Sequence, residues 1–132
     1  MNGISLKAVI VSSIFNFLLM LTIITLGVMV VAGFESPDGT VPSEAEVSAA
    51  LESSWLTMLA LTAPLAAGYL GAALAKRAAI LHGALSSSLN VAWGVICMVF
   101  LTPVTLSGLA LLAANPLMGA AGGYIWLKAR NS

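Results

Sequence analysis

Charge is scarce in this sequence: five Lys and Arg and five Asp and Glu make up 8% of 132 residues, where a soluble domain carries roughly 25%. With 60% of residues hydrophobic and a mean hydropathy of +1.05, a soluble fold is excluded. Cysteine is nearly absent too. Cys97 has no second Cys to pair with, so one chain forms neither a disulfide framework nor a CxxC metal or redox motif. Acidic and basic residues balance, which leaves no electrostatic footprint for nucleic acid.

What the chain has in quantity is long apolar runs. A hydrocarbon core of about 30 Å needs about 20 helical residues at 1.5 Å each. Four runs reach that length, at 8–33, 54–75, 78–100 and 104–127, and none contains Asp, Glu, Lys or Arg. The reading is an all-α protein, a single domain of four transmembrane helices joined as an up-down bundle.

The few charges are segregated. All basic residues fall at Lys7, at Lys76 and Arg77 between runs two and three, and at Lys128 and Arg130 after run four. All acids, Glu35, Asp38, Glu44, Glu46 and Glu52, lie in the stretch 34–53. The positive-inside rule then places both termini in the cytoplasm and 34–53 outside. A competing reading makes run one a signal peptide, with Lys7 as its charged start and Val30 and Ala32 before a cleavage site. Its apolar stretch of about 25 residues exceeds the usual 7–15, which favours a retained helix. Met1-Asn2 does not fit myristoylation, and no cysteine stands near the N-terminus for a lipoprotein anchor.

The loop carries FESPDGTVPSEAE, with Pro37, Gly39 and Pro42 as breakers. Ser43 with Glu46 forms a capping box, so helix two is expected to start at Glu44 and to run unbroken to Ala75, about 48 Å. Its projecting first turns present an apolar stripe, Val47, Ala50 and Leu51, to the membrane surface or to a partner. Only Lys76 and Arg77 separate helices two and three, and only 101–103 separates helices three and four, so each pair is antiparallel.

In lipid, helices associate through close packing of small residues rather than through hydrophobic gain. Ala63, Ala67, Gly71 and Ala75 recur every four residues on helix two, as do Ala79, Gly83 and Ser87 on helix three, and Gly119 with Gly123 forms GxxxG on helix four. These faces are read as packing surfaces inside the bundle, with a homodimer face as the alternative. Helix three also carries His82, Ser86 and Asn90 at spacing four, then Cys97, all roughly on one side. They are read as interhelical hydrogen-bonding groups, with a lined polar path as the alternative. Pro64 and Pro116 interrupt helices two and four and free the carbonyls of Ala60 and Leu112. Asn90 and Asn115 count to the same depth, so these two amides are expected to bond to each other or to a freed carbonyl. Tyr124 and Trp126 near Lys128, and Trp55 near Glu52, suit the membrane interfaces.

The stretch GYLGAALAKRAAILHGALSS, around Gly68, Tyr69, Lys76, Arg77, His82 and Gly83, resembles the helical hairpin of small bacterial four-span membrane proteins. In these a glycine-rich second helix ends in basic residues and His-Gly follows. The resemblance covers about twenty residues. It implies a four-helix membrane protein and no particular reaction. Small multidrug transporters share the size alone: their first helix carries an essential glutamate, where this chain has Asn16. No catalytic constellation, cofactor site or metal-ligand cluster is read from the sequence. The expectation is a multi-pass protein of a bacterial cytoplasmic membrane with a structural or interaction role, its partners the bilayer and itself or a larger membrane protein. A small transporter or channel with a path along helix three is the alternative.

Overall fold

The computed structural model describes residues 4–35, 41, 43–100 and 106–132. Every regular element among them is helical: α1 (Leu6–Glu35), α2 (Glu44–Glu52), α3 (Ser54–Ala60), α4 (Thr62–Ala75), α5 (Ala79–Leu85), α6 (Ser88–Phe100) and α7 (Leu106–Asn131). Four helical stretches are long and apolar enough to cross a membrane, Leu6–Val30, Ser54–Ala75, Ala79–Phe100 and Gly108–Asn131. The molecule is a four-helix membrane bundle.

Its inside and outside are reversed relative to a soluble protein. Leu18, Leu21, Met29, Val99 and Leu117 lie on the outer surface, while Ser12, Asn16, Ala63, Ala67 and His82 are fully buried. Water would favour the opposite arrangement. In lipid, large apolar side chains gain nothing by leaving the surface, so the interior goes to residues that let backbones approach or that hydrogen-bond across helices.

The contacts fix how the spans run. Ser12 of α1 lies against Gly71 and Gly27 against Leu56, so α1 is antiparallel to the α3–α4 span. Ser5, Asn16 and Met20 meet His82, Ser86 and Asn90, which makes α1 parallel to the α5–α6 span. Gly123, Gly119 and Asn115 of α7 meet Ala79, Gly83 and Ser87 in descending order, an antiparallel pair. The Arg130 guanidinium donates to the Lys76 carbonyl at 3.1 Å, so α4 and α7 end side by side. This is the up-down arrangement.

Three helices depart from the sequence reading. Helix two does start at Glu44, with both halves of the Ser43–Glu46 capping box formed, but it does not continue unbroken to Ala75. Ser53 turns extended (φ −66°, ψ 130°), and its N–H and hydroxyl both return to the Ala50 carbonyl, closing α2. A second break follows Ala60, the residue whose carbonyl Pro64 both deprives of a donor and crowds. Helix three is broken as well, at Ser86 and Ser87. There Ser86 Oγ donates to the Gly83 carbonyl at 2.6 Å and the backbone tightens to bonds three residues back. Pro116, by contrast, does not interrupt helix four: α7 runs through it to Asn131 and carries Lys128 and Arg130 on its last turn.

The Lys76-Arg77 link is as short as its sequence demands, and the chain reverses through left-handed backbone at Lys76 (φ 57°) and Ala78 (φ 44°). The α2 stripe does not face outward in full: Ala50 is buried and α2 packs on α1, so part of the expected partner surface is used at home. The expected 101–103 link and the breakers Pro37, Gly39 and Pro42 lie outside the described residues.

Candidate functional site

Polar side chains run through the middle of the bundle in two groups. The first lies toward the basic end. His82 is fully buried and accepts the Ser5 backbone N–H on Nε2 at 2.8 Å, so the ring proton sits on Nδ1 and is directed to the Ala78 carbonyl at 3.1 Å. His82 therefore satisfies a backbone donor that the start of α1 leaves without a helical partner. One helical level further, Ser13 Oγ donates to the Leu85 carbonyl at 3.2 Å and lies 3.1 Å from Ser88 Oγ. Asn16 Nδ2 donates to the Ser86 carbonyl (3.2 Å) and to Ser87 Oγ (3.4 Å), while Ser87 Oγ donates to the Asn115 carbonyl (2.9 Å). At the Ser86–Ser87 break the Leu85 and Ser86 carbonyls accept from α1, and the Ser87 hydroxyl donates to α7. In this way α1, the α5–α6 span and α7 are tied at one level.

The second group sits higher. Asn90 and Asn115 both line a cleft of about 330 Å³ between α1, α6 and α7, together with Phe17, Leu21, Trp93 and Leu111. They do not bond to each other, which corrects the expected pairing. The Asn90 amide donates to the Met20 thioether at 3.1 Å, and the Asn115 amide to the Leu111 carbonyl at 3.1 Å, its own neighbour four residues back rather than the freed Leu112. Each leaves its Oδ1 buried without a partner, as does Asn16. Phe17 meets the edge of Trp93 with ring centroids 6.2 Å apart, which fixes one wall.

The small residues explain why the cleft is confined to one half. A Cβ on Gly83 would strike the Gly119 carbonyl, one on Gly119 the Gly83 carbonyl, and one on Gly123 the Ala79 carbonyl, so α5 and α7 touch backbone to backbone. Gly71 is enclosed less tightly, its added Cβ lying 2.9 Å from Ser12 Oγ, and Ala67 is fully buried. Above the Ser86–Ser87 break the glycine of α6, Gly94, faces the Leu112 side chain rather than α7 backbone, so the two helices stand apart there and the cleft opens.

Of the residues singled out from sequence, the structure places His82 and Ser86 in the lower group and Asn90 and Asn115 at the cleft. Sequence reasoning missed Ser12, Ser13 and Ser87 as bonding partners, and Gly68 and Gly122 as the contact where α4 crosses α7. Ser12, Ser13 and Asn16, together on one side of α1, were the available signal, since they gather the polar groups of an otherwise apolar helix. Among the described residues no cluster of three His, Cys, Asp or Glu gathers to hold a metal. Against protein-family models, curated proteins and solved structures alike, the chain finds no match.

Proposed function

We propose that this chain is a small multi-pass protein of a bacterial cytoplasmic membrane whose role is structural or interactive, an accessory subunit or homo-oligomer, without catalysis. Its proposed orientation has both termini in the cytoplasm. One observation carries the reading. The polar residues in the basic half of helix three are engaged in closing the bundle: His82 on Ser5 and Ala78, Ser86 on Gly83 and Asn16, Ser87 on Asn115. A conduit requires groups that hand a solute onward, whereas these hold helices together. The small-residue faces are spent in the same way, so partner contacts fall on the large apolar outer surface rather than on a glycine stripe.

A second reading, a small transporter or channel, is favoured by the cleft at Asn90 and Asn115 alone. Two measurements separate them. Purification in mild detergent is expected to retain a stoichiometric protein partner or a defined homo-oligomer, and the purified chain in liposomes is expected to pass no solute above empty vesicles. A monodisperse monomer that moves solute by itself would reverse the choice.

A further inference from the structure

The cleft between α1, α6 and α7 combines features that a packing defect does not. Asn90 and Asn115 are 8% and 4% exposed, both line the same space, and each has a buried amide oxygen without a partner that a turn of the amide would bring to it. Counting about 1.5 Å per residue from Arg77 and back from Lys128, both lie about 20 Å from the basic end, inside the hydrocarbon. An unpaired carbonyl there costs several kcal/mol. Asn90 is also loosely tied, because a thioether is a weak acceptor, so its amide turns easily toward a better partner.

We propose that this cleft binds a neutral amphiphile from the bilayer: an apolar chain or ring system carrying a hydroxyl that donates its one proton to the amide oxygen of Asn90 or of Asn115. The polarity of the head follows from the two orphaned acceptors, either of which a donor satisfies and an ether or ester oxygen does not. Its neutrality follows from the lining, which contains no Asp, Glu, Lys, Arg or His, and from the depth, where a charge is costly. The apolar body follows from Phe17, Leu21, Trp93 and Leu111. The route of entry is lateral, because Leu21 and Trp93 at the cleft are about half exposed on the lipid-facing surface. At about 330 Å³ the space is within the size range of small-molecule sites. The proposal is independent of any protein partner, since it concerns an occupant of one bundle.

The test uses the full chain in nanodiscs and a diazirine-tagged hexadecanol as probe, with adducts mapped by peptide mass spectrometry. Adducts are expected on cleft residues, displaced by unlabelled hexadecanol and not by its methyl ether of equal chain length. Asn90→Leu with Asn115→Leu is expected to weaken that competition about tenfold, the loss of roughly one hydrogen bond. Gly94→Leu leaves both amides intact and fills the cleft beside Leu112, so it is expected to abolish the cleft adducts even if the double variant does not fold. Equal competition by alcohol and ether would overturn the proposal and mark the cleft as a general acyl-chain or water-filled space. Adducts spread over outward residues such as Leu117, or adducts unchanged by Gly94→Leu, would overturn it as well.

Discussion

At the scale of single residues, His82 shows how a polar group in a membrane helix can be read in two ways that only its partners decide. A histidine about 7.5 Å beyond Arg77 is equally placed for a path and for a clasp. The structure makes it a clasp, because both ring nitrogens are occupied by backbone groups, one of them the Ser5 N–H at the start of a different helix. His82→Ala is therefore expected to leave that N–H without its acceptor and to open a void, while the Ala78 carbonyl keeps the backbone N–H of residue 82 at 3.0 Å. The cost should be about 1 to 3 kcal/mol, more than the roughly 0.6 of an average interhelical bond, because a half-buried donor loses its acceptor and a fully buried side chain is removed. Denaturant titration in detergent measures it. A variant as stable as the parent would show that the Ser5–His82 contact contributes nothing to the bundle.

The helices themselves separate what spacing reveals from what only register reveals. Four spans, the Glu44 start and the small-residue faces were legible because hydrophobic length, capping chemistry and a four-residue period are local properties. Which face meets which was not, since Gly83 has several possible partners at equal spacing and only the relative slide of two helices puts it opposite Gly119. The breaks at Ser53 and Ser86 were not legible either, because a serine in an apolar helix is compatible with outward, interhelical or back-bonding rotamers, and packing selects among them. The kind of atom opposite each glycine predicts a ranking. Gly119→Ala is expected to destabilise most, since its Cβ meets backbone that moves only if α5 and α7 separate. Gly71→Ala should cost less, because the nearest atom, 2.9 Å away, is the Ser12 hydroxyl, which has other rotamers, and the nearest backbone atom, the His82 carbonyl oxygen, stands at 3.2 Å, where a shift of a few tenths of an ångström suffices. Gly27→Ala should cost least, as it meets only the flexible end of Leu56. Melting of the three variants in one detergent tests the order, and a Gly27 variant as damaged as Gly119 would contradict it.

For the whole molecule, the ends of the bundle carry the argument about orientation. The Ser5–His82 bond brings the N-terminal end of α1 to the α4–α5 link, and the Arg130–Lys76 bond brings the C-terminus there too. Lys7, Lys76, Arg77, Lys128 and Arg130 thus form a single basic end, where Arg130 also stacks on Trp126 at 5.4 Å from the ring centroid. Glu44, Glu46 and Glu52 belong to α2, on the far side of the span that begins at Ser54. Because three separate chain segments deliver cations to one end, inverting the protein would require moving all of them across the membrane together, and the proposed orientation is expected to resist removal of any one pair. In a Cys97→Ser background, Val41→Cys, a position 91% exposed, is expected to react with an impermeant maleimide in intact cells, and Ser132→Cys only after permeabilisation. The same pattern should persist when Lys128 and Arg130 are replaced by Gln. When Lys76 and Arg77 are replaced as well and two lysines are added beside Val41, labelling at Ser132 should begin to appear in intact cells. Labelling of Ser132→Cys in the otherwise unaltered chain would overturn the orientation, and an unchanged pattern in the fully recharged variant would show that something other than these cations sets it.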